Sequence, residues 1–174
     1  MKKILKEKFF RRGALEVASD LLGKYLVRRL GDQVLALPIT EVEAYDGFKD
    51  LASHASRGIT ERNAPMFEGG GVWYVYFVYG MHHMLNIVVG EKDYPAAILI
   101  RGVGDISGPA RLTSFLKIDK SFNTKGAKRQ SDLWIEDRGE DLVPKKILKT
   151  ARIGVSYAGP VWSKKKYRFL IREN

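Results

Sequence analysis

The sequence predicts one α+β domain, residues 1–174, with flanking helices on a largely antiparallel sheet. Three observations carry this prediction. Apolar, β-rich runs at 25–30, 33–45, 72–89 and 96–103 are separated by turn signals. Helical spacing occurs in only two places, 14–25 and after Ser107. No repeat, low-complexity tract or linker divides the chain, and 45% apolar residues suit a folded core.

Each element follows from its residues. Leu15, Ala18, Leu22 and Tyr25 sit at helical spacing and predict an amphipathic core helix over 14–25. Strands over 25–30 and 33–45 are joined by a turn at Gly31-Asp32. Residues 46–71 are loop-rich, with Gly47, Gly58, Pro65 and Gly69-Gly70-Gly71. VWYVYFVYGMHHMLNIVV (72–89) predicts a hairpin with a type II′ turn centred on Gly80-Met81. AAILIRGV (96–103) is the next strand. Ser107-Gly108-Pro109 predicts a helix start, with Ser107 as cap and Leu112, Phe115 and Leu116 as buried stripe. Residues 119–150 read as polar loop, apart from Leu133-Trp134-Ile135. ARIGVSYAG (151–159) and KYRFLI (166–171) are late strands that return to the sheet.

The formal net charge is +10, and it is uneven. Residues 1–116 hold 15 basic and 13 acidic residues, a net +2, whereas 117–174 hold 15 and 7, a net +8. Such a balance points to an anionic partner or to a solvated, lysine-rich surface. The absence of cysteine excludes disulfides and thiolate metal sites. The N-terminus is basic but lacks the apolar core of a signal peptide. The longest apolar run, 72–79, is far short of the ~20 residues a spanning helix needs. The expectation is a soluble cytoplasmic protein with no membrane contact.

The candidate chemistry begins in ITEVEAYDG, residues 39–47. On a strand, Glu41, Glu43 and Tyr45 share one face, roughly 7 Å apart from one to the next. They are either a solvated strand face or a carboxylate set beside a loop, where sites gather. Arg101 ends an apolar strand, and its charge needs a partner if buried. Trp73, Tyr74, Tyr76, Phe77 and Tyr79 crowd one strand, and most such rings are core. Tyr79, however, abuts the hairpin turn, where a ring is poorly placed for core packing and well placed as a DNA wedge. Asn86 interrupts an apolar run and, if buried, must find hydrogen bonds. His54 lies in the polar stretch ASHASRG. Three histidines and no cysteine give no zinc constellation, and Gly69–Gly71 lacks the partners of a phosphate loop. No metal or cofactor is expected.

Seven blocks in order carry a resemblance: EVEAYDG (41–47), ASHASRG (52–58), RNAPMF (62–67), WYVYFVYGMHHMLN (73–86), AILIRG (97–102), SGPARL (107–112) and ARIGVSYAG (151–159). Together they resemble the alkyladenine, or 3-methyladenine, DNA glycosylase family over about Phe10 to Arg172. The resemblance implies a curved antiparallel sheet with a protruding hairpin. It implies metal-free hydrolysis of the N-glycosidic bond of damaged purines flipped out of double-stranded DNA. Lesions in view are 3-methyladenine and 7-methylguanine, with hypoxanthine and ethenoadenine as further candidates. By the same resemblance Glu43 is the general base, Arg101 helps hold the water, and Glu41 is secondary. Tyr45, His54 and Tyr76 are the aromatic walls of the base pocket, Asn86 its floor, and Tyr79 the residue that fills the gap in the stack.

Ser107, Gly108, Arg111 and Lys120 are the candidate DNA-backbone contacts, through helix-start N–H groups and basic side chains. Two departures from the family border regions near the DNA or the pocket and bear on the lesion spectrum: the short 102–106 segment, and Trp73 where a smaller aliphatic residue is common. A bacterial monomer is expected. The competing readings are a non-enzymatic nucleic-acid-binding module and a Schiff-base glycosylase, and no block supplies a lysine for the latter.

Overall fold

The computed structural model describes residues 2–139 and 146–172. Its first elements are β1 (Lys3–Ile4), α1 (Glu7–Phe10) and α2 (Ala14–Leu21). β2 (Tyr25–Leu30) and the 14-residue β3 (Gln33–Asp46) follow. The hairpin β4 (Trp73–Val78) and β5 (His82–Val88) precedes β6 (Ala96–Val103), β7 (Ile106–Ser107) and α3 (Pro109–Phe115). β8 (Leu133–Asp137), β9 (Lys146–Thr150), α4 (Gly159–Trp162) and β10 (Arg168–Arg172) complete it. All strand pairings among the described residues are antiparallel. The sheet order is β1-β8-β2-β3-β6-β5-β4, with β10 joined to β3 and β9, and β7 to β6.

β3 organises this α+β fold. Its first half pairs with β2, and its second half lies between β6 and β10. Strand alternation then sorts the side chains onto two faces. Val42, Ala44, Trp73, Val75, Leu85, Ile87, Ile98 and Ile100 enter the main core beneath α2 and α3. Fully burying an aliphatic side chain of this kind contributes roughly 1.5–3 kcal/mol. Their neighbours Glu43, Tyr45, Tyr74, Tyr76, Met84, Asn86, Ala97 and Leu99 line a pocket on the opposite face.

Several elements differ from the sequence expectation. α2 ends at Leu21 and buries Ala14, Val17, Ala18 and Leu21, while Tyr25 opens β2. Leu15 and Leu22 pack against the main core, partly buried. Ser107 does not cap α3: it belongs to β7, and Gly108 precedes the helix without a side-chain cap. Thr113, not Phe115, completes the buried stripe, because its hydroxyl donates to the His83 carbonyl at 2.9 Å. Phe115 is exposed.

The hairpin turn sits one residue earlier than expected. Tyr79 and Gly80 both have positive φ, 52° and 64°, and the Met81 N–H donates to the Val78 carbonyl. Such a primed turn matches the right-handed twist of the two strands. The expected loop at 119–150 contains two short 3-10 turns and the strands β8 and β9, while 140–145 lie outside the described residues. Leu133 and Ile135 are buried in β8, which explains the apolar patch. Residues 151–159 are not a strand. They form a loop with a 3-10 turn at Ser156–Ala158, because Gly154 at φ 74° breaks the extended backbone. Trp73 faces the main core and donates from Nε1 to the Leu133 carbonyl. It therefore points away from the pocket. The 102–106 segment is the tight connection of β6 to β7. No described helix is long and apolar enough to cross a membrane.

Candidate active site

The pocket has a volume of about 290 Å³. Seven sequence-predicted residues line it: Glu43, Tyr45, His54, Tyr76, Tyr79, Asn86 and Arg101. Three strands deliver most of them through the two-residue period. Glu43 and Tyr45 come from β3, Asn86 from β5 and Tyr76 from β4.

Glu43 is fully buried. Its Oε1 accepts the Ile153 backbone N–H at 2.7 Å, and its Oε2 accepts the Tyr45 hydroxyl at 2.9 Å. Arg101 Nε lies 3.6 Å from Oε1. An ionised carboxylate has about four acceptor sites, so the group retains capacity for a water.

Arg101 is positioned by a bulge. Glu41 pairs with Gly102 and Val42 with Ile100, which leaves Arg101 without an opposite residue and re-aims its side chain. Its Nε donates to Glu41 Oε1 at 2.8 Å. Arg168 Nε donates to the same oxygen at 2.7 Å. Burial alone would raise the Glu41 carboxyl, but these two guanidiniums hold it below the usual carboxylate range. Glu41 does not line the pocket; it anchors Arg101 from behind.

The aromatic wall is continuous. The His54 and Tyr76 rings meet edge-on at 4.8 Å, and His54 Nδ1 lies 3.1 Å from the Tyr74 hydroxyl. Burial, and secondarily the Arg62 charge, lowers His54, which favours the neutral imidazole. Burial also pushes the Tyr74 hydroxyl up to about 12 and raises Tyr76 further. Tyr45 is raised by burial and by Glu43. All three phenols are therefore neutral near pH 7. Asn86 donates its amide to the carbonyls of Tyr74 (3.1 Å) and Met84 (3.4 Å). Only its NH₂ can face two carbonyls, so Oδ1 is the atom left for a ligand.

The loop 46–71 is held by two buried polar residues. Asn63 donates to the His54 and Gly58 carbonyls and accepts the Thr60 N–H. Asp50 accepts the backbone N–H groups of Asp46 and Ala52, and a bidentate pair from Arg152 at 2.5 and 2.8 Å. Both side chains of that ion pair are fully buried. Arg152 also donates to the Ala44 carbonyl, and its guanidinium lies 4.7 Å from the Tyr45 ring centre. Thus one ion pair fixes the loop, the Tyr45 ring and the segment that presents Ile153.

Sequence reasoning did not assign Asp50, Asn63, Tyr74, Arg152, Ile153 or Arg168 to the site. Asn63, Tyr74, Arg152 and Ile153 lie inside the blocks of the resemblance. The partners of Asn63 and Arg152 are backbone groups or a carboxylate 102 residues away, so no local spacing reveals them.

Tyr79 stands at the hairpin tip, 88% exposed, on the rim of the pocket. The four candidate backbone contacts are less tightly placed. Ser107, Arg111 and Lys120 are exposed and Gly108 is half-buried, and none lines the pocket. Pro109, which starts α3, does.

Comparison with known proteins shows the family. The family model for methylpurine-DNA glycosylase matches residues 8–107 and 104–174. A protein of Methanocella arvoryzae described as "Putative 3-methyladenine DNA glycosylase" is 41% identical, over 90% of this chain and 86% of its own. One of the same description from Borreliella burgdorferi is 39% identical over 95% of both chains. A third, from Clostridium botulinum, is 37% identical over 98% of this chain and 96% of its own. Matched along almost its whole length, the chain belongs to the methylpurine-DNA glycosylase family.

Proposed function

We propose that the protein is a monofunctional DNA glycosylase that hydrolyses the N-glycosidic bond of damaged purines in duplex DNA. The observation that carries this reading is the buried Glu43 carboxylate, oriented by Tyr45, Ile153 and Arg101 on the wall of an aromatic pocket. Family membership and the descriptions of the relatives support a 3-methyladenine DNA glycosylase activity.

The glycosidic bond is not reachable inside the stack, so the base enters the pocket by flipping, at a cost of a few kcal/mol. Tyr79 takes the vacated place from the hairpin tip. The flipped base lies against Tyr45, His54 and Tyr76, with Asn86 below it. Glu43 accepts a proton from a water held also by Arg101, and that water attacks C1′ as a cationic base departs neutral. A neutral base such as hypoxanthine departs neutral only on taking up a proton. General-base catalysis contributes roughly 10²–10⁴ in rate. Alkylated purines carry positive charge, so they bind electron-rich rings and leave readily. Exposed basic residues, Arg111 and Lys120 among them, contact phosphates. The protein acts as a single-domain monomer.

The test is base release from duplexes carrying one 7-methylguanine, hypoxanthine or ethenoadenine, with and without hot alkali. Strand breaks that require alkali support the reading. Salt-dependent binding without release points to a non-enzymatic DNA-binding module. A covalent complex trapped by borohydride points to Schiff-base chemistry.

A further inference from the structure

Two aromatic walls of the pocket are each backed by a guanidinium, and the two backings differ in charge. Behind Tyr45 lies Arg152, neutralised by its buried bidentate pair with Asp50. Against Tyr76 lies Arg62, its Cζ 5.1 Å from the ring centre. Tyr76 lines the pocket and Arg62 does not, so the guanidinium stacks on a ring of the wall without itself entering the pocket. Arg62 Nη2 donates to the Phe77 carbonyl at 3.2 Å. It makes no ion pair with a carboxylate among the described residues.

We propose that Arg62 is a specificity-determining residue that favours neutral lesion bases over cationic ones. This inference rests on the glycosylase reading. A cation on one face of an aromatic ring draws its electron density and reduces what the other face offers to a second cation. The charge also acts directly across the ring, at a distance where a low-dielectric wall transmits it. The Arg62 charge also acts on Tyr74 and His54, the neighbouring groups of the wall. A base carrying formal positive charge, such as 7-methylguanine, meets this penalty. A neutral base such as hypoxanthine meets no such penalty on entering the pocket, and takes on charge only with the proton that assists its departure. Arg62 is exposed to solvent, so screening limits the effect.

The experiment measures single-turnover release from matched duplexes carrying 7-methylguanine or hypoxanthine, at one ionic strength, for wild type, Arg62→Leu and Arg62→Lys. Arg62→Leu is expected to shift the ratio of the two rates toward 7-methylguanine by roughly three- to tenfold. Arg62→Lys, which keeps the charge, is expected to stay near the wild-type ratio. An equal loss on both substrates, with a shallower salt dependence of binding, would make Arg62 a phosphate contact and overturn the proposal. An unchanged ratio in Arg62→Leu would overturn it also. No release by wild type from either duplex would overturn the glycosylase reading itself, and this inference with it.

Discussion

The backbone N–H of Ile153 donates to Oε1 of Glu43 at 2.7 Å, across 110 residues of sequence. A loop from the basic last third of the chain thus completes the surroundings of a carboxylate set by β3. Arg152, the preceding residue, fastens that loop to Asp50. The excess positive charge of residues 117–174 is therefore not all surface. Arg152 and Arg168 turn inward, onto Asp50 and Glu41.

The first prediction concerns the Asp50–Arg152 pair. Asp50→Asn leaves a buried guanidinium without its counter-charge, which costs about 3–5 kcal/mol. For a chain of this size that lowers the Tm by roughly 6–20 °C. Thermal unfolding checks it. An unchanged Tm would mean that the pair does not anchor the loop.

Glu41 gives a pH dependence. Its carboxyl is held low because Arg168 and Arg101 outweigh burial. A depressed folded value contributes stability that is fully present above the unfolded value of about 4.3 and is lost as pH falls through the folded one. Glu41→Gln is expected to destabilise by about 3 kcal/mol at neutral pH. The gap from wild type should close in acid. Urea midpoints measured at neutral pH and well below the unfolded value test the sign, and a gap that widens in acid contradicts it.

Tyr79 separates stability from function. At φ 52° a tyrosine is strained by about 1–3 kcal/mol, and its ring is almost fully exposed. Tyr79→Gly is expected to leave the Tm equal to or above wild type, yet to slow excision roughly tenfold or more from a fully paired site. On a lesion in an unpaired bulge, where flipping costs less, the loss should shrink. An equal loss in both contexts would exclude a role in flipping.

The pocket was legible where strand period alone places a side chain. Glu43 and Tyr45 share a face because they are two apart, and Asn86 interrupts an apolar run on the face that Tyr76 also uses. Arg101 was legible as a buried charge in need of a partner, and Glu41 is that partner. The bulge that aims it was not, since it depends on register between β3 and β6. The hairpin was legible, but its turn was set one residue late because Tyr79, not Met81, accepts the left-handed backbone. ARIGVSYAG looked like a strand by its apolar alternation, and Gly154 overrides that pattern. β1, two residues long, exists only through its pairing with β8 and carries no local signal.

The most direct test of the account is single-turnover base release by Glu43→Gln beside wild type, with lesion-duplex affinity measured in parallel. Glutamine keeps the shape and an acceptor oxygen but cannot take the proton. The account predicts a loss of roughly 10²–10⁴ in rate with binding changed only a few-fold. Release at the wild-type rate would contradict it.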